Sequence, residues 1–156
     1  MMTVVDEVSE VYRLHADELV RYATALVGPS DAPDMVVDAV LAAVASPGWA
    51  SVENRRAYLF RAVLNRCSSV RRSDARRALR ELRVGVATAP APAAVDMAID
   101  ARRALAGLSA RQRAVVYLTY WEDLTPAQVG ALLGVSEGTV RKQLARAREH
   151  LRRVLR

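Results

Sequence analysis

The sequence predicts an all-α protein made of two small helical domains joined by a flexible linker. Three observations carry that expectation. Apolar residues recur at three- and four-residue spacing through most of the chain, the period of a helix with one buried face. Glycine is sparse, 7 in 156 residues, and no Asn-Gly type of hairpin signal breaks the pattern. Around residues 84–96 the period gives way to VGVATAPAPAAV, where Gly85, Pro90 and Pro92 stand among small residues. That composition makes an extended, mobile tether. The expected division is therefore 1–83, a linker over 84–96, and 97–156.

A first helix is expected from Val5 to Val27, with Val8, Val11, Tyr12, Leu14, Leu19, Tyr22, Ala23 and Leu26 on a broad apolar face, ended by Gly28-Pro29-Ser30. A second runs from about Asp31 to Ala45. Asp31, Asp34 and Asp38 line one side of it, while Met35, Val36, Ala39, Val40, Ala43 and Val44 turn inward. Pro47-Gly48 stops the pattern, so Trp49 to Asn54 reads as a loop. A long helix follows from Arg55 to near Arg83, its first half carrying Tyr58, Leu59, Ala62, Val63 and Cys67 toward the core. Helices resume near Asp96, with Met97, Ile99, Leu105 and Leu108 on one face. Ser109 and Gln112 then form a capping box before Ala114, Val115, Leu118 and Tyr120.

The most heavily signposted stretch lies between Leu124 and Leu151. Thr125 can cap a helix, Gln128 can reach back to it, and Pro126 occupies the first helical position, where its missing N–H costs nothing. Leu124 and Val129 are placed as a hydrophobic staple, and Gly134 can take the left-handed conformation that ends the helix. Ser136 caps a further helix whose Val140, Leu144, Ala147 and Leu151 face inward. Two short capped helices at this spacing read as a helix-turn-helix, whose second helix enters the DNA major groove. The outer face of that helix offers Gly138, Arg141, Lys142 and Ala145, flanked by Gln143 and Arg146. Arg, Lys and Gln carry the donors that read base edges and hold phosphates. A solvated basic face on an ordinary hairpin is the competing reading.

Charge supports a nucleic-acid partner. The chain has 22 Arg and 1 Lys against 17 acidic residues, a net charge of +6. Residues 1–50 are net −6, residues 51–83 net +7 and residues 84–156 net +5. A basic middle and end suit DNA, and an acidic front suits a basic protein surface. Cys67 is the single cysteine, so neither an intramolecular disulfide nor a cysteine-built metal site is expected. Asp34 and Asp38, one turn apart, lack further ligands of the right type nearby, and His15 and His150 stand isolated. Gly130, Gly134 and Gly138 recur without the Gly-Lys-Ser/Thr of a phosphate loop, and Ser68 and Ser69 have no base partner. No constellation of nucleophile, base and orienting group assembles, so no enzyme activity, cofactor or small-molecule substrate is expected. No apolar run approaches a membrane span and the first ten residues lack signal-peptide character, which places the chain in the cytoplasm.

Taken together the segments resemble a bacterial RNA polymerase sigma factor of the extracytoplasmic-function type (sigma-70 group 4), which keeps only the second and fourth conserved regions. The fourth-region likeness runs from Ala104-Leu105-Ala106-Gly107-Leu108-Ser109 through Tyr120-Trp121-Glu122-Asp123-Leu124-Thr125 to Gly134-Val135-Ser136-Glu137-Gly138-Thr139-Val140-Arg141. The second-region likeness rests on Leu19-Val20-Arg21-Tyr22-Ala23, Asp34-Met35-Val36 and Asn54 to Arg61, with Asn65.

The resemblance implies that the acidic second helix docks on the clamp coiled coil of the polymerase largest subunits, through Asp31, Asp34, Met35, Asp38 and Leu41. It implies that the loop with Trp49, Ser51 and Asn54 captures a flipped base of the melted −10 element, and that Arg61, Asn65, Arg66, Arg71 and Arg72 lie along that promoter segment. The −35 element falls to Ser136, Thr139, Arg141, Lys142, Gln143, Ala145 and Arg146. Partners implied are core polymerase, promoter DNA and, as is common in the family, an anti-sigma factor. Trp49 carries two readings, base capture or closure of the first domain's core. The chain departs from the family pattern at Val37, Val40 and Val44, where Gln, an aromatic and Trp are usual, and at Ser69, where Asp is common. The alternative function is a stand-alone helix-turn-helix regulator that forms no holoenzyme.

Overall fold

The computed structural model describes residues 3–84 and 104–155. Within them lie α1 (Val4–Val27), α2 (Ala32–Ala45), α3 (Arg55–Val84), α4 (Ala110–Tyr120), α5 (Pro126–Leu133) and α6 (Glu137–Val154), and residues 104–106 are helical as well. A 3-10 turn over Trp49–Ser51 occupies the expected loop between α2 and α3. Among the described residues there is no strand. The linker expected over 84–96 lies outside the described residues except for Val84, which ends α3. So do Asp96, Met97 and Ile99.

Local chemistry sets the boundaries. The Thr3 hydroxyl accepts from the Asp6 amide at 3.1 Å, and the Asp6 carboxylate accepts back from Thr3, which closes a capping box on α1. The Thr3 hydroxyl, donating to the Asp6 carboxylate at 2.8 Å, and then the Thr3 amide hold the Asp6 carboxyl below its ordinary range. Ser109 with Gln112 and Thr125 with Gln128 form two more boxes, at α4 and α5. Asn54 caps α3, its Oδ1 accepting from the Ala57 amide at 3.0 Å.

Helices α1, α2 and α3 pack against one another around Leu19, Tyr22, Leu26, Val36, Val40, Leu59, Phe60 and Val63. The Tyr22 and Phe60 rings lie 4.6 Å apart at that centre. Burying each such side chain stabilises the fold by about 1.5–3 kcal/mol. Helices α4, α5 and α6 close a second bundle over Val115, Leu118, Val129, Leu132, Val140, Leu144 and Ala147. The two bundles also touch: α4 lies on α1 and α3, α5 lies on α3, and the buried side chains of both join one continuous apolar cluster.

Three residues expected on apolar helix faces are exposed, Leu105 and Tyr120 at the margins of the second bundle and Leu14 on α1. Leu14, expected on the apolar face of α1, is 73% exposed, because that face is wider than its partner helices cover. Residues 72–80 of α3 are exposed throughout, so the second half of this helix runs past the bundle into solvent.

Candidate nucleic-acid and polymerase surfaces

The turn between α5 and α6 is built from two glycines with different jobs. Gly134 has φ +73°, the left-handed conformation that closes α5, and its amide bonds back to Gly130 O at 2.8 Å. Gly130 has no side chain because a Cβ there would lie 2.6 Å from the Val135 carbonyl oxygen. The Ser136 hydroxyl then caps α6 by accepting from the Thr139 amide at 3.1 Å and pairs with the Thr139 hydroxyl at 2.8 Å. Val140, Leu144 and Ala147 are buried, which turns Arg141, Lys142, Ala145 and Arg146 outward into solvent. Gln143 and Thr139 sit half-buried at the edges of that face. Arg141 is held by Glu137 one turn earlier at 2.7 Å, a pair that DNA phosphate or a base edge can displace. All seven residues expected to read the −35 element therefore sit on the first ten residues of one helix and its cap.

The residues expected at the −10 element are not gathered in this way. Trp49 is buried at 3% exposure. Its indole Nε1 donates to Glu7 at 3.0 Å, the Tyr58 ring meets it edge-on, and the Arg55 guanidinium lies over its face at 4.5 Å. A stacked base would need that covered face, so in this arrangement Trp49 closes the core. Ser51 and Asn54 are exposed. The first donates its hydroxyl to Gly48 O, and the second spends its carbonyl oxygen on the α3 cap. Arg61 turns toward α5, donating to Ala131 O at 3.0 Å and Leu132 O at 3.2 Å. Arg71 donates to Ala106 O at 3.3 Å, and Arg72 to the Ser69 hydroxyl at 3.4 Å. Arg66 points the opposite way and pairs with Asp38 of α2 at 3.1 Å. That pair joins a residue assigned to DNA with one assigned to polymerase.

On α2, Asp34, Val37, Asp38 and Leu41 share one side, with Val37 39% and Leu41 48% exposed. Asp31 lies exposed at the start of the helix. An apolar pair flanked by carboxylates suits a basic, partly apolar helix surface. Met35 belongs elsewhere: at 8% exposure it packs in the core, so it supports this face from beneath and cannot touch a partner directly. Of the three departures from the family pattern on this helix, Val37 lies on its exposed side, Val40 is fully buried and Val44 is half-buried.

A family model described as sigma-70, region 4 matches residues 99–151. The extracytoplasmic-function RNA polymerase sigma factor SigM of Mycobacterium tuberculosis is 33% identical over 148 residues, covering 94% of this chain and 76% of SigM. The chain belongs to the extracytoplasmic-function RNA polymerase sigma factor family. SigL of the same organism is 35% identical over 153 residues, covering 93% of this chain and 86% of SigL. The RNA polymerase sigma-E factor of Streptomyces coelicolor is 33% identical over 157 residues, covering 96% and 86%. Among solved structures, the sigma factor RpoE of Bartonella quintana, in complex with the anti-sigma factor NepR, superposes with a TM-score of 0.64. That match has 28% identity and covers 94% of this chain and 95% of the other.

Membership in this family fits the all-helical build and the exposed basic face of α6. Among the described residues no group of three or more His, Cys, Asp or Glu is placed to hold a metal ion. No described helix is long and apolar enough to cross a membrane. Cys67 is fully buried, and burial pushes its thiol up to about 11. One long-range contact escaped the sequence. Arg113 of α4 reaches the end of α1, donating to Leu26 O at 3.2 Å and to Leu105 O at 2.8 Å. Burial first, then the neighbouring Arg71 charge, bring its guanidinium down to about 10. No local sequence signal marks a contact made across 87 positions.

Proposed function

We infer that this sigma factor directs core RNA polymerase to a specific promoter set, with its two helical units, divided at residues 84–96, reading two separate promoter elements. The exposed basic face of α6, fixed by the capped turn at Gly134–Ser136, carries the reading. In it Arg141, Lys142, Gln143, Ala145 and Arg146 enter the major groove of the −35 element, and Ser136 and Thr139 lie beside its phosphates. The α2 face of Asp34, Val37, Asp38 and Leu41, with Asp31, docks on the clamp coiled coil of the polymerase largest subunits. The −10 element belongs to Asn54 and Ser51 on the turn and to Arg61, Asn65, Arg66, Arg71 and Arg72 on α3, whose arginines can neutralise successive phosphates. The protein acts in the cytoplasm and performs no chemistry itself. The solved relative is held by an anti-sigma factor, which supports a protein regulator for this chain as well.

Polymerase docking is tested by Leu41→Asp, which adds a charge where a half-exposed apolar side chain now lies. The variant should fold like wild type yet lose co-elution with sigma-free core polymerase. Unchanged co-elution would remove α2 from the docking surface.

A further inference from the structure

The turn that carries Ser51 and Asn54 is clasped by one side chain. Trp49, at its start, is 3% exposed. Its ring lies edge-on to Tyr58 at 5.7 Å and beneath the Arg55 guanidinium at 4.5 Å, both in the first turn of α3. Residues 49–54 therefore leave and rejoin the bundle against the same indole. Main-chain bonds tighten the turn, Ser51 N donating to Gly48 O at 3.1 Å and Val52 N to Trp49 O at 3.2 Å. What fixes the indole itself is α1. The Trp49 Nε1 donates to Glu7 Oε1 at 3.0 Å, and Glu7 sits in the first turn of α1, pinned by the Thr3 capping box. A second carboxylate of α1, Glu18, pairs with Arg56 beside Arg55. Helix α1 thus holds the turn at both ends.

A buried indole N–H without an acceptor is costly. Any shift of the turn away from α1 breaks that bond, so one placement of the turn is favoured. Local bonds also set what the turn displays. The Ser51 hydroxyl donates to Gly48 O, which leaves its oxygen to accept; Asn54 Oδ1 serves the α3 cap, which leaves its amide to donate. Each group has one polarity to offer, and using it on a base edge demands placement within about 0.5 Å.

We propose that Glu7 and Trp49 are positioning residues for promoter melting, holding the turn so that Ser51 and Asn54 meet the edge of the flipped base. Neither touches DNA. The proposal rests on this turn being the site of base capture.

The test uses holoenzyme made with full-length variants and a single strand carrying the −10 element of a promoter from which the wild-type protein initiates. Each base of that element is replaced in turn by an abasic sugar. The ratio of dissociation constants, abasic over intact, reports base capture, because the phosphates are the same in both strands. Wild type should show a ratio of about tenfold at the captured base, the worth of one or two hydrogen bonds. Glu7→Leu should bring the ratio to about twofold or less, with the abasic strand bound as by wild type. Trp49→Phe, which keeps a ring and lacks the N–H, should do the same. Glu7→Gln retains the accepting oxygen and should keep the wild-type ratio. All three should bind duplex −35 DNA normally. A wild-type ratio in Glu7→Leu, or a lost ratio in Glu7→Gln, would overturn the proposal. So would a Glu7→Leu protein that binds intact strand, abasic strand and −35 duplex more weakly by one common factor, since that marks a fold defect alone. Asn54→Ser separates this proposal from the reading beneath it. A ratio lost there but kept in Glu7→Leu refutes the positioning role only, whereas a ratio kept in both removes base capture from the turn.

Discussion

Asn54 caps α3 and is proposed to hold a flipped base, and substituting it separates the two roles. Its Oδ1 accepts from the Ala57 amide at 3.0 Å, capping a 30-residue helix whose first turn holds Arg55 and Arg56. Loss of such a cap costs about 1 kcal/mol. For a chain of this size Asn54→Ala should therefore lower the melting temperature by about 2–4 °C. Asn54→Ser and Asn54→Asp both keep a capping oxygen, and the aspartate adds about 0.3–1 kcal/mol from its charge at the helix N-terminus. Both should melt at or above the wild-type temperature in far-ultraviolet circular dichroism. Neither retains the amide N–H₂ of asparagine, which remains to donate to a flipped base once the carbonyl is used by the cap. In permanganate footprinting of open complexes, all three variants should therefore lose strand separation, by about 0.5–1.5 kcal/mol for the missing bond. Asn54→Ala melting with wild type would refute the cap. Open complexes of wild-type strength with the serine and aspartate variants would refute the base contact.

Three further outcomes are expected. Arg141→Ala should weaken −35 binding by about 1–3 kcal/mol and relax preference at one position, measured by selection from a randomised −35 library; an unchanged profile would remove Arg141 from the reading face. Gly134→Ala should cost about 1–2 kcal/mol for an L-residue in the left-handed region, read by chemical denaturation, and full stability would contradict the strained turn. Cys67 should make stability fall as pH rises from 9.0 toward about 11. The unfolded thiol ionises first there, so the unfolded state binds fewer protons than the native one and the slope is negative. Cys67→Ala should remove that fall, and an identical pH profile would contradict the burial.

Much of the carboxy-terminal bundle was legible because its signals are local. Thr125 with Gln128, Ser109 with Gln112 and Ser136 with Thr139 each act within three residues, and each makes the bond its spacing implies. The outward side of α6 follows from Val140, Leu144 and Ala147 in the same way. On α2 the sequence is less decisive, because Asp34 and Asp38 are its only charged residues and apolar positions surround the whole helix. Periodicity nonetheless turned Met35 inward and left Leu41 out, as the structure has them, and it was the family resemblance that set Met35 among the docking residues. The contacts of Arg61 with α5 and of Arg113 with α1 span 71 and 87 positions and end on main-chain carbonyls, which every residue carries. No side-chain pattern can announce such a partner. Trp49 shows a third case: either reading was open until Glu7, 42 positions away, took its indole N–H.

The most direct measurement is run-off transcription on genomic fragments with purified protein and sigma-free core polymerase. The account predicts initiation from a limited set of start sites that share −35 and −10 elements at one spacing, with no other specificity subunit present. Specific DNA binding without core binding or initiation would contradict it and make the chain a stand-alone regulator.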